Sequence, residues 1–285
     1  MEWRGENDGF LTWLRGWCSI AAVQKPAGYR RDSPAPILNG WSLLRRLGRT
    51  CFWHDPSLYR WIGRARGRGD CLAVDFDIWV DGYPGSASAL AATLLQQANP
   101  TAQIAPRRHL PPFILNALYK FKPGMLLVSP PDEAVVSWTI LSRGAPGDCL
   151  DYYLDFHHKL RANAPWLFIV TPGELMSQFD TVMEIFNLHF QTNYAAPEPG
   201  AVEKFKTREG ARIQPDSAHA ELRIERLVPK GSGVRQELRR RMEESPRLRS
   251  KLEMARHLYK EFVPANRKVP MPPLNLTTRH LPTMA

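Results

Sequence analysis

Between residues 75 and 190, short uninterrupted apolar runs alternate with stretches in which apolar residues recur every three to four positions. The runs fall at 78–80, 125–128 and 166–170, and the periodic stretches that follow them at 86–98, 133–141 and 175–190. A strand with one wet face alternates apolar and polar residues, whereas a continuous apolar run needs both faces covered, as in a parallel sheet flanked by helices. The pattern therefore predicts an α/β fold with those three runs as its parallel strands. Leu90, Leu94, Leu95 and Ala98 give the first helix an inward stripe, and Asn99-Pro100 stops it. A helix over 148–161 precedes the third strand, and a long Arg/Glu-rich helix over 235–262 is interrupted at Pro246. Around 195–210, Pro197, Pro199, Gly200 and Gly210 predict a loop.

Charge divides the chain where the pattern does. Residues 1–70 hold 12 Lys/Arg against 6 Asp/Glu, residues 71–200 hold 7 against 12, and the remainder holds 19 against 10, for a net charge of +10. The expected organisation is a basic N-terminal extension over 1–70, an α/β domain over 71–263 and a Pro-rich tail over 264–285. Six of the nine Trp lie in the extension beside Arg45, Arg46, Arg49, Arg60, Arg64, Arg66 and Arg68. Such Trp/Arg helices dock on a core or lie on a membrane interface, and core docking is the favoured reading. Cys18, Cys51, Cys71 and Cys149 are widely spaced, which indicates neither a zinc site nor a disulfide framework and suits a cytoplasmic protein. No run of about 18 apolar residues is present.

The most informative stretch is Tyr83-Pro84-Gly85-Ser86-Ala87-Ser88, where the first strand breaks into a loop and enters a helix. A loop closing on a helix N-terminus aims unpaired N–H groups and the positive end of the helix dipole at an anion. No Lys or Arg lies within it. The segment after the second run, Val128-Ser129-Pro130-Pro131-Asp132-Glu133-Ala134-Val135-Val136-Ser137-Trp138, belongs at the same end of the sheet, where α/β proteins bind ligands. Between the two lies Arg107-Arg108-His109-Leu110-Pro111-Pro112.

Taken in order, these pieces resemble the sulfotransferases that use 3′-phosphoadenosine 5′-phosphosulfate (PAPS). The family's strand and Tyr-Pro-Lys-Ser-Gly-Thr-Thr-Trp loop are matched by Asp77 to Leu90, its Thr-His-Leu-Pro by Arg108-His109-Leu110-Pro111, and its Arg-x-Pro-x-Asp-x-x-x-Ser by Ser129 to Ser137. The resemblance spans about residues 72–190 and extends to Lys230-Gly231. It implies a P-loop-like architecture, PAPS as donor, no metal, His109 as general base, and a donor site formed by Tyr83, Pro84, Gly85, Ser86, Ala87, Ser88, Ser129, Ser137, Lys230 and Gly231. The departures are specific: Gly85 replaces the loop cation, Ser129 the Arg that grips the 3′-phosphate, and Leu90 the aromatic that stacks on adenine. Pro172-Gly173-Glu174-Leu175 stands for Tyr-Glu-Asp-Leu, and Pro229-Lys230-Gly231 for Arg-Lys-Gly. Arg107 and Arg108 are candidate compensating cations, and Gly85→Lys is expected to restore the missing charge.

Two functions follow: sulfuryl transfer to a hydroxyl or amine of a small molecule, lipid or glycan, or a catalytically impaired module that binds a nucleotide or other anion. The losses at 85 and 129 favour the second, and His109 with Ser137 favours the first. Each residue also has an ordinary explanation: Ser86 and Ser88 as helix caps, Ser137 bonded to its own helix, His109 at the surface. His157 and His158 cannot face one ligand from one helix and are read as structural. An ATP- or GTP-binding loop is disfavoured because no Gly-Lys-Ser/Thr is present. Nucleic-acid binding rests on charge alone, with no aromatic platform beside Arg239-Arg240-Arg241.

Overall fold

A computed structural model describes residues 75–142, 144–212 and 233–263. The extension over 1–70, the tail over 264–285, and Lys230 and Gly231 lie outside the described residues, as do Cys18, Cys51 and Cys71. Three parallel strands form the sheet in the order β1 (Trp79–Gly82), β2 (Gly124–Leu127), β3 (Phe168–Val170). Val80 pairs with Met125 and Leu126 with Ile169. All three predicted runs are strands, shifted by one or two residues. Trp166 is the exception, since it closes a 3₁₀ turn over Ala164–Trp166, where Pro165 sets the backbone.

Alternate residues of each strand serve different cores. Trp79, Leu126 and Ile169 join one, with Phe113, Val135, Tyr153 and Leu252; Val80, Met125, Leu127 and Val170 join the other, with Leu94, Leu175 and Phe186. Burial on both faces is why the runs are continuously apolar.

The helices are α1 (Ser88–Ala98), α2 (Pro111–Tyr119), α3 (Pro131–Ser142), α4 (Pro146–Arg161), α5 (Pro172–Ser177), α6 (Phe179–Phe190), α7 (Ala201–Arg212), α8 (Gly233–Glu244) and α9 (Pro246–Phe262). Five begin on proline at the first helical position: α2, α3, α4, α5 and α9. Proline there forfeits only an amide that has no helical partner and presets φ. The helix that Pro111 and Pro112 open, Pro111–Tyr119, is one that the apolar pattern does not predict.

Three further expectations are corrected. The stretch over 175–190 is two helices, parted at Gln178, whose extended φ of −147° ends α5 after a Thr171/Glu174 capping box begins it. Residues 201–212 form α7, with Gly210 inside it, so the prolines and Gly200 precede a helix rather than mark a long loop. The first helix starts at Ser88, which leaves Ser86 in the loop.

Helix α9 lies along α4, and α8 packs on both α9 and α3, which brings a C-terminal segment against the helix that follows β2. Among the described residues, no helix is long and apolar enough to cross a membrane.

Candidate functional site

The chain leaves β1 through Gly82, where a Cβ would stand 2.3 Å from the Leu127 carbonyl oxygen and 2.5 Å from Ser86 Oγ. Only glycine lets the loop turn this close to β2. At Gly85 φ is +90°, and a Cβ would meet the Ala134 carbonyl oxygen at 2.9 Å and Ser137 Cβ at 3.0 Å. The loop therefore lies against α3 with no room for a side chain. That corrects the expectation that Gly85→Lys restores the missing charge: the position is glycine because of its backbone and its neighbour, and a cation there would push α3 away. Ala87 completes the turn in the left-handed region (φ 62°) and starts α1 with no side-chain cap, so neither Ser86 nor Ser88 caps it.

Between this loop, the end of β2 and the start of α5 lies a cavity of about 540 Å³, lined by Pro84, Gly85, Ala87, Ser88, Arg107, His109, Ser129 and Ser137. Its volume is ordinary for a small-molecule site, roughly 300–1,000 Å³. The N-termini of α1 and α3 both open on it; the first-turn amides of α1 have no acceptor within the helix, whereas α3 begins on Pro131 and its Glu133 amide is taken by the Pro130 carbonyl. Ser129 Oγ is buried without a hydrogen-bond partner, a costly state that a ligand oxygen would relieve. Ser86 Oγ is likewise unpartnered, but Ser86 does not line the cavity. Tyr83 also turns away: its ring packs at an angle against Tyr152 and Tyr153, centroids 5.1 Å apart, and its hydroxyl donates to the Cys149 carbonyl. Leu90 lines the cavity wall, while Trp138 and Phe205 supply aromatic surface from α3 and α7.

Of the two candidate cations, Arg107 lines the cavity and Arg108 does not; Arg108 contributes its backbone N–H to Asp81. A third cation, Arg235 of α8, belongs to no motif in the sequence. Its side chain is fully buried, its Nη1 donates to Ser137 Oγ at 3.1 Å and its Nη2 to Glu133 Oε2 at 2.7 Å. Burial pulls this guanidinium below its ordinary pKa, and Glu133 opposes the shift. Arg239, one turn along, pairs with the other oxygen of Glu133. Glu133 is 45% exposed and lines the cavity, whereas Arg235 and Arg239 do not line it and stand behind Glu133 and Ser137.

His109 begins the turn into α2 in the left-handed region, with φ 55°. Its Nδ1 lies 2.7 Å from the Gly82 carbonyl oxygen and 3.1 Å from Asp81 Oδ1. Both partners accept, so Nδ1 carries the proton and Nε2 holds the lone pair. Burial works against charging the ring, but the hydrogen bond and charge of Asp81 and the Gly82 carbonyl outweigh burial and Arg107, so the His109 pKa is raised.

His157 packs into the aromatic core as expected of a structural residue, and His158 is exposed. No family model, curated protein or solved structure matches this chain.

Proposed function

We propose that the protein is a sulfotransferase that moves a sulfuryl group from PAPS to an acceptor hydroxyl or amine, within a P-loop-like α/β architecture of that family. The observation that carries the reading is the convergence, in one cavity, of the loop and α1 N-terminus, Ser129 ahead of α3 and Ser137 in its second turn, and a histidine whose neutral ring has its lone pair on Nε2. Motif order alone did not require these pieces to meet.

The residues present suit a donor with two phosphate ends. The unpaired Ser129 hydroxyl and the first-turn amides of α1 are donors awaiting an acceptor. The 5′-phosphate end belongs on the Gly85–Ser88 loop, and the 3′-phosphate by Ser129 and Ser137. Arg235 takes over the charge lost with the arginine at 129, reaching Ser137 from α8 instead of from α3. Arg107 is the cation available to the leaving oxygen. Trp138 and Phe205 replace the stacking surface lost at Leu90.

His109 Nε2 takes the proton as the acceptor oxygen or nitrogen forms its bond to sulfur. The bond from sulfur to the bridging oxygen breaks, and its electron pair stays on the 5′-phosphate. The enzyme's part is alignment and charge neutralisation.

The second reading is an anion-binding module without transfer activity. It is favoured by Gly85, which holds no cation, and by Glu133, which already occupies Arg235. One comparison separates the two. His109→Gln should abolish PAPS-dependent transfer or donor hydrolysis while leaving adenosine 3′,5′-bisphosphate binding intact. Binding without activity in the parent protein would favour the module.

A further inference from the structure

We infer that Asp81 and His109 form a carboxylate–imidazole dyad, in which Asp81 positions the ring so that Nε2 is held toward the cavity as a proton acceptor. No motif assigns Asp81 such a role, since it is the penultimate residue of β1, Trp79-Val80-Asp81-Gly82, all four residues buried. A carboxylate 1% exposed at the end of a buried strand costs several kcal/mol unless its oxygens are fully engaged.

Here they are engaged almost entirely by the segment that carries His109. Asp81 Oδ2 accepts the N–H of Arg108 at 2.9 Å and of His109 at 3.0 Å, and Oδ1 accepts the N–H of Gly82 at 2.8 Å. The imidazole Nδ1 lies 3.1 Å from Oδ1. Tyr152 of α4 grips the residue from the other side, its hydroxyl donating to the His109 carbonyl at 2.8 Å. A residue with a Cβ at φ 55° is strained, at a cost of about 1 kcal/mol, and persists only where its surroundings fix it. The bonds to its N–H and C=O do that.

A carboxylate present only to satisfy the turn needs backbone amides alone. The ring contact goes further, and together with the Gly82 carbonyl it leaves one neutral tautomer, protonated on Nδ1. The side chain is 26% exposed and lines the cavity, so Nε2 is the nitrogen a ligand meets. The charged groups facing it are Asp81 beneath, Arg107 from its own segment and Glu133 across the cavity on α3. The ligand group that fits Nε2 is an O–H or N–H donor. What that donor belongs to rests on the sulfotransferase reading, whereas the dyad itself does not.

The test begins without any substrate. The ¹⁵N shifts of the His109 ring are followed against pH in the ¹⁵N-histidine-labelled full chain and assigned by their loss in His109→Gln. The dyad requires the Nδ1–H tautomer when neutral and a titration midpoint above that of an ordinary histidine. In Asp81→Asn the tautomer survives on the Gly82 carbonyl, but the midpoint drops. If activity is present, the acid limb of kcat moves to lower pH and its plateau falls about 10- to 100-fold, with adenosine 3′,5′-bisphosphate affinity unchanged. An Nε2–H tautomer in the parent, or an Asp81→Asn midpoint equal to the parent's, overturns the dyad. If Asp81→Asn does not fold, the parent's tautomer and midpoint decide alone. Failure to bind the bisphosphate would sink the sulfotransferase reading and leave the ring titration untouched.

Discussion

Glu133 offers a perturbation whose two consequences have opposite signs. In Glu133→Gln the shape is kept, Arg235 retains Ser137 and an amide oxygen, and only the negative charge is lost. Removing one partner of a fully buried ion pair costs about 3–5 kcal/mol. Glu133 is 45% exposed, so screening discounts that figure, and we expect the apo protein to lose about 1–2 kcal/mol. A phosphate entering beside Ser137 must displace the carboxylate from Arg235 and Arg239. Without the carboxylate that cost of about 1 kcal/mol disappears, and affinity for adenosine 3′,5′-bisphosphate should rise about five- to tenfold. Calorimetry in 0.1 M salt reads the affinity and denaturant unfolding reads the stability; the gain should shrink at 0.5 M salt. A variant that binds more weakly, or one that is more stable with unchanged affinity, would refute the placement of the phosphate on Arg235.

Two further predictions concern the scaffold. Burial, only partly offset by the Tyr153 carbonyl, lowers the His157 pKa from 6.5 to about 4, so the unfolded chain takes up a proton first as pH falls. Stability should decline between pH 6.5 and 4 by roughly 3 kcal/mol, and His157→Phe should lose that share of the pH dependence in denaturant titrations; an unchanged slope would count against it. Gly85→Ala should cost about 1–3 kcal/mol in thermal unfolding and weaken bisphosphate binding, because a Cβ at φ +90° meets the Ala134 carbonyl; a neutral result would show that α3 gives way there.

The strands were legible because burial on both faces leaves an unbroken apolar run, and no other arrangement of Met125 to Val128 is so economical. The proline-initiated helices were less so. The apolar pattern starts a helix at 175 and none at Pro111, because proline at a helix start looks the same in sequence as proline that ends one. At the site, spacing located His109, Ser129 and Ser137, which all line the cavity, but overreached for Tyr83, Ser86 and Arg108, which lie in or beside the loops and do not. Asp81 and Arg235 were invisible for a physical reason. Each acts through partners 27 to 102 residues away, and only the fold brings those together. A polar residue inside a buried strand was the available signal for Asp81, and it lies just past the run over 78–80.

The central claim is that this cavity holds an adenosine carrying two phosphate ends. Calorimetric titration with adenosine 3′,5′-bisphosphate, set against adenosine 5′-monophosphate, tests it directly. The account predicts saturable 1:1 binding of the bisphosphate, at least about tenfold tighter than the monophosphate, with the difference abolished in Arg235→Met. Equal affinity for the two nucleotides, or binding of neither, would contradict it.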